Sequence, residues 1–116
     1  INSNNEKIRP FTEEFNNYLD ILKKFSDWTV ERVKINKDDV SAAANDYLKT
    51  LGYISIAFAW IKTLEVSFKD YEENKKFYDD KISTAKFYFE KVLPRAEQHY
   101  KSAISGSSNI MNFNFN

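Results

Sequence analysis

Apolar residues recur at three- and four-residue steps in three long stretches of this chain, the spacing of one face of an α-helix. In the first stretch Ile8, Phe11, Phe15, Leu19, Leu22, Thr29 and Val33 form one stripe, with Tyr18, Ile21, Phe25 and Trp28 in a second beside it. In the second, from about Val40 to Tyr71, the residues Val40, Ala44, Tyr47, Leu51, Ile54, Phe58, Ile61, Glu65 and Phe68 keep a regular 4-3 spacing that only Glu65 interrupts. Leu48, Ile56, Trp60 and Leu64 add apolar surface on its other sides, and a helix apolar all round is normally surrounded by partners. The third stretch starts within Glu72 to Lys76 and runs to about Ile104, with Tyr78, Ile82, Ala85, Phe89, Val92, Ala96 and Ala103 as its seam.

The breaks between these stretches follow from side-chain chemistry. Pro10 suits a first helical turn, where its missing N–H costs little, and Glu13 and Glu14 complement the helix dipole there. A turn is expected at Asn36 to Asp39, with Asp38 or Asp39 as the N-cap of the second helix. Gly52 costs about 1 kcal/mol inside a helix, so it points to close helix approach rather than to a helix end. Asn74 is the best break before the third helix, and Pro94 should kink or divide that helix. Gly106, within Ser105 to Ser108, suits a C-cap. The expectation is an all-α fold, an up-down-up bundle of three long antiparallel helices over residues 10–105. Residues 1–9 form an N-terminal linker and residues 106–116 a C-terminal tail. Phe15, Leu22, Leu51, Ile54, Phe58, Ile82, Ala85 and Phe89 are its predicted core.

Composition narrows this picture. Two glycines and two prolines leave few turns, which argues against a β-sandwich or barrel. Seventeen basic and seventeen acidic residues balance to zero net charge, which disfavours nucleic acid as a partner. The chain has no cysteine, so it has no disulfide or thiolate chemistry, and that suits a reducing cytoplasm. The most apolar run, Leu51 to Ile61, is too short to span a bilayer and is bracketed by Lys49 and Lys62. The polar, Asn-rich start is no secretory signal, and the absence of an initiator methionine fits a fragment or a processed chain.

Chemistry-bearing motifs are sparse. Two isolated glycines cannot build a phosphate loop. His99 is the single histidine and has no carboxylate at ligand spacing on its own helix. Asp38-Asp39, Glu72-Glu73 and Asp79-Asp80 are sequence neighbours, which splay about 100° apart on a helix and do not converge. No catalytic, cofactor-binding or metal-binding residue is therefore assigned. The aromatic share, 16%, is the unusual feature, because a three-helix core cannot use every side of a helix. Trp60, Leu64, Phe87, Tyr88, Phe113 and Phe115 are the candidate interface residues.

Two stretches carry a family resemblance. Asp46 to Trp60 (DYLKTLGYISIAFAW) and Phe77 to Pro94 (FYDDKISTAKFYFEKVLP) resemble the helical C-terminal domain of the acyl-CoA dehydrogenase branch that includes methylmercaptopropionyl-CoA dehydrogenase. The tail, with Gly106, Met111, Phe113 and Phe115, is similar to the end of that domain. The resemblance implies a parent enzyme that oxidises an acyl-CoA to a 2-enoyl-CoA, with FAD taking the hydride and a carboxylate base taking the α-proton. It places base, flavin contacts and acyl-CoA pocket in an upstream core that this domain packs against, alone or as a homo-oligomer. No residue here matches those groups. The alternative reading is a free-standing helical module for protein interaction or oligomerisation.

Overall fold

The computed structural model describes residues 6–114, with side chains through residue 105. Helix α1 spans Arg9–Ile35, α2 Lys37–Lys69, α3 Lys75–Phe87 and α4 Pro94–Asn114. A 3-10 turn at Tyr71–Glu73 links α2 to α3, and a π turn at Tyr88–Val92 joins α3 to α4. The described residues contain no strand. The result is three helical rods, the third made of α3, the π turn and α4.

Short amides set the two tight connections. Asn36, extended at φ −153° and ψ 109°, caps α2 by accepting the Asp38 N–H at 2.9 Å. The cap is thus Asn36 rather than Asp38 or Asp39. Those two carboxylates instead occupy the first turn, where the helix dipole favours them. Asn74 caps α3 in the same way, accepting from the Phe77 N–H at 3.2 Å. In α1, Pro10 does lie in the first turn, whereas Glu13 and Glu14 fall beyond it.

Pro94 divides the third rod as expected. An α-helical Pro94 would lack one N–H and press its ring on the Glu90 carbonyl. The backbone widens instead: the Leu93 N–H bonds to the Tyr88 carbonyl at 2.8 Å, five residues back. The extra residue rotates the seam, so Tyr88, Phe89 and Leu93 all turn inward, and Pro94 begins α4. Gly106 does not end the helix, since α4 continues through it to Asn114.

The rods meet in a definite order. Along α1 and α2 the contacts run oppositely, Phe25 with Tyr47 and Phe15 with Phe58. Along α2 and α4 they also run oppositely, Asp46 with His99 and Thr50 with Ala96. Between α1 and the third rod they run together, Phe11 with Phe89 and Phe25 with Tyr100.

Two buried clusters hold the rods. The larger includes Ile8, Phe15, Ile54, Ile61, Leu64, Phe89 and Leu93. Ile8, inside the expected linker, is therefore a core residue. The smaller centres on Phe25, ringed by Trp28, Tyr47 and Tyr100 at 5.1–6.1 Å between ring centres. Phe15, Ile54, Ala85 and Phe89 are buried as predicted, and Leu22 and Ile82 are partly so. Leu51 and Phe58 are not: they are 39% and 43% exposed. The α2 seam runs through Ala43, Tyr47, Thr50, Ile54, Ala57, Ile61, Leu64 and Phe68. It shares every second position with the predicted seam and takes the other flank between them. Thr50 sits on that flank and spans the helices, its hydroxyl reaching the Asp46 and Ala96 carbonyls.

α2 also passes a length and composition criterion for crossing a bilayer, at a mean hydropathy of 1.2 over eighteen residues. The Leu51–Ile61 run alone was too short for this, and the helix around it is longer. α2 packs against α1, α3 and α4, yet only 28% of that stretch is buried within the chain.

Replacing Phe89, 1% exposed, by alanine should cost about 3–5 kcal/mol in urea unfolding, whereas Phe58→Ala should cost about 1 kcal/mol. Equal losses would restore Phe58 to the core. Burial also pushes the Tyr18 and Tyr88 phenols up to about 12. In the unfolded chain they ionise near 10, so the unfolded state sheds these protons first. Their contribution should be full below pH 10 and fall as pH rises toward 12. Denaturation titrated across this window should show that loss, reduced in Tyr88→Phe.

Candidate docking surface

The periodicity that buries one side of α2 leaves a second apolar side in water. Asn45, Leu48, Gly52, Ser55, Ile56, Ala59 and Val66 share that outward face by helical spacing, and none carries a charge. Leu48 is 65% exposed and Ile56 50%. Lys49 and Lys62 stand at opposite edges, and Lys62 lies over the Phe58 ring at 5.4 Å. At Gly52 a Cβ would meet nothing within 4 Å. The close approach expected at Gly52 therefore does not occur within the chain.

Beside this face α1 and α2 form a shallow groove of about 440 Å³, lined by Phe15, Leu19, Leu22, Leu51, Ser55 and Phe58. A second hollow of about 330 Å³ continues toward the Asn36 turn, between Thr29, Val40, Ala44, Tyr47 and Leu48. No charged side chain lines either hollow. The three helices leave this side open because α3 and α4 pack on the opposite flank of α2, at Thr50 and Ile61.

The predicted interface residues fare unequally. Phe87 is 60% exposed and stands out from the end of α3, and Phe77 on the same helix is also exposed. Trp60 is half-buried against the larger cluster. Leu64 and Tyr88 are interior, at 0% and 8% exposure, and cannot form a surface. Leu64 sits on the true α2 seam, and the π turn swings Tyr88 inward, where its hydroxyl donates to the Tyr53 carbonyl at 2.6 Å. The Phe113 and Phe115 side chains lie outside the described residues.

His99 has a partner that its own helix could not supply. Its Nδ1 lies 2.7 Å from Asp46 Oδ1 on α2, and Tyr53 stacks on the imidazole at 6.0 Å. The pair clamps α4 to α2. Among the described residues no three His, Asp or Glu side chains gather as a metal site. A third hollow, of about 410 Å³, lies where Glu14 and Glu90 flank Phe11 and Phe89. Burial, and then the charge of Glu90, pushes the Glu14 carboxyl above its ordinary value. Lys7 and Lys86 also line this hollow, so the two carboxylates share it with two cations.

Residues 1–114 match the domain family described as Acetyl-CoA dehydrogenase C-terminal like. No curated protein and no solved structure matches the chain.

Because Gly52 is helical, exposed and free of neighbours, Gly52→Ala should stabilise the isolated chain by about 1 kcal/mol. Urea unfolding at a concentration low enough to suppress association checks this. A loss instead would mean that the helix backbone at Gly52 is strained.

Proposed function

As the chain belongs to the Acetyl-CoA dehydrogenase C-terminal like family, we propose that it is the accessory packing domain of an acyl-CoA dehydrogenase and carries no catalytic group of its own. The single observation behind this reading, beyond the family, is apolar surface that the three rods leave uncovered: Phe87 and Phe77 on α3, and the α1/α2 face. The up-down-up order of the rods, supported by the opposed contact series, makes the domain a stiff block with two separate apolar sides.

In this reading the α3 side, at Phe87, lies against the dehydrogenase core, and the domain also takes part in homo-oligomer contacts. FAD would be held by that core and not by residues of this chain, and it would supply the hydride-accepting chemistry for oxidation of an acyl-CoA to a 2-enoyl-CoA. The chain's own residues supply stiffness and contact area. Motif similarity at Asp46–Trp60 and Phe77–Pro94 supports the methylmercaptopropionyl-CoA dehydrogenase branch, and the lack of cysteine suits a cytoplasmic setting.

The purified chain should be colourless, and it should not reduce an electron acceptor with any acyl-CoA. Mixed with the separately expressed core, it should co-sediment, and Phe87→Lys should weaken that association at least tenfold. Stoichiometric yellow flavin on the chain alone, or a core that ignores it, would overturn this division of labour.

A further inference from the structure

Of the three hollows, the one where α1, α2 and the third rod converge combines an apolar floor with charged walls. The floor is Phe68 of α2, Ile82 of α3, and the Phe11 and Phe89 rings, an edge-to-face pair 5.3 Å between centres. Four charged side chains share the lining, Lys7 and Glu14 from the first rod's side and Lys86 and Glu90 from the third. The two hollows of the α1/α2 face have no charged lining, so nothing there would orient a small molecule. Small-molecule sites are apolar hollows of about 300–1,000 Å³ with a few convergent polar groups. At about 410 Å³ this hollow lies near the lower end of that range.

Its charges have not neutralised one another. Lys86 and Glu90 are four positions apart, the spacing at which a regular helix forms ion pairs. Yet among the described residues neither of them, nor Glu14, takes part in an ion pair. The π turn starts between them, at Tyr88, and its wider backbone breaks the four-residue register. Glu14, half-buried, instead meets the field of Glu90, and its carboxyl is pushed up by burial and then by that charge. A cation set between the two carboxylates would relieve their repulsion.

The balance of the walls narrows the ligand. A plain carboxylate would find the lysines but face Glu14 and Glu90, and a plain amine would meet the opposite conflict. A molecule with both charges on one carbon satisfies both sets at once, and the floor calls for an apolar side group. We propose that this hollow binds a free apolar α-amino acid, its ammonium group between Glu14 and Glu90, its carboxylate at Lys86 and its side group on Phe11 and Phe89. Lys7, over the Tyr71 ring at 5.9 Å, adds positive charge to the same lining. The proposal goes beyond the packing role and does not depend on it, since the hollow is complete within this chain.

The test is titration of the purified chain, followed by calorimetry and by the backbone amide resonances of Lys86 and Phe89. L-phenylalanine or L-leucine should bind saturably, one to one. Glycine, which lacks the apolar group, 2-phenylethylamine, which lacks the carboxylate, and 3-phenylpropionate, which lacks the ammonium group, should each bind at least tenfold more weakly, because each leaves part of the site unpaired. Glu14→Gln and Lys86→Met should each weaken phenylalanine at least fivefold, and Lys62→Met, on the other side of the molecule, should leave it within twofold. Glu14→Gln should not lower the unfolding midpoint, since it removes the repulsion with Glu90, so its lost binding is not lost folding. No saturation by phenylalanine or leucine up to tens of millimolar would overturn the proposal. So would 2-phenylethylamine or 3-phenylpropionate binding as tightly as phenylalanine, and so would binding indifferent to both Glu14→Gln and Lys86→Met. Failure of these titrations leaves the packing role standing, because that role is read from association with the core.

Discussion

α2 carries more apolar surface than its neighbours can cover, and most of the structure follows from that excess. Its 33 residues are apolar on nearly every side, yet only α1 on one flank and the α3–α4 rod on another are available within the chain. Burying one flank necessarily leaves another in water. The buried flank is the one with smaller residues, Ala43, Thr50 and Ala57, which lets α4 approach closely enough for the Thr50 hydroxyl to reach the Ala96 carbonyl. The flank with Leu51 and Phe58 is left to form the wall of an open groove. Close packing inside and apolar surface outside are two consequences of one choice.

The π turn is the second constraint, and it acts on the partner of α2. Pro94 cannot donate a hydrogen bond, and the ring needs room at Glu90. Inserting one residue before the proline satisfies both demands and advances the inward face. Two consecutive aromatics, Tyr88 and Phe89, are thereby buried together, with Leu93 following one turn later. Phe87 alone of the aromatic run is left outside. The same local adjustment therefore completes the larger core and leaves Phe87 exposed.

Polar contacts tune this frame rather than hold it. The surface ion pairs are mostly local pairs three or four residues apart, worth little each in water. Polar contacts between elements include Ser26 with Tyr47 at 2.8 Å, Arg32 with Asp39 at 3.6 Å and Asp46 with His99 at 2.7 Å. The Thr50 hydroxyl also reaches the Ala96 carbonyl, the Tyr88 hydroxyl the Tyr53 carbonyl and the Tyr71 hydroxyl the Asp79 carboxylate, so such contacts are spread along the molecule. The larger buried cluster relies on Phe15, Ile61, Leu64 and Phe89.

Helical class, the three rods, the Asn74 break and the interruption at Pro94 were legible in the sequence, because each depends on local spacing or on one residue's backbone chemistry. Glu65 was also a legible warning, as the single charge in an otherwise apolar seam. That seam and the true one share Tyr47, Ile54, Ile61 and Phe68, and periodicity alone cannot rank two flanks of one row. Only packing could decide, since the choice depends on how closely α4 approaches and on which side chains α1 leaves room for. The pairing of His99 with Asp46 was hidden for the same reason: 53 residues separate them, and a helix crossing brings them together. The inward turn of Tyr88 depended on how the backbone relieved Pro94, by a π turn rather than a simple kink. The exposed α1/α2 face was visible only as an excess of apolar positions. Its location had to await the fold, because a surface is what remains after the core has been chosen.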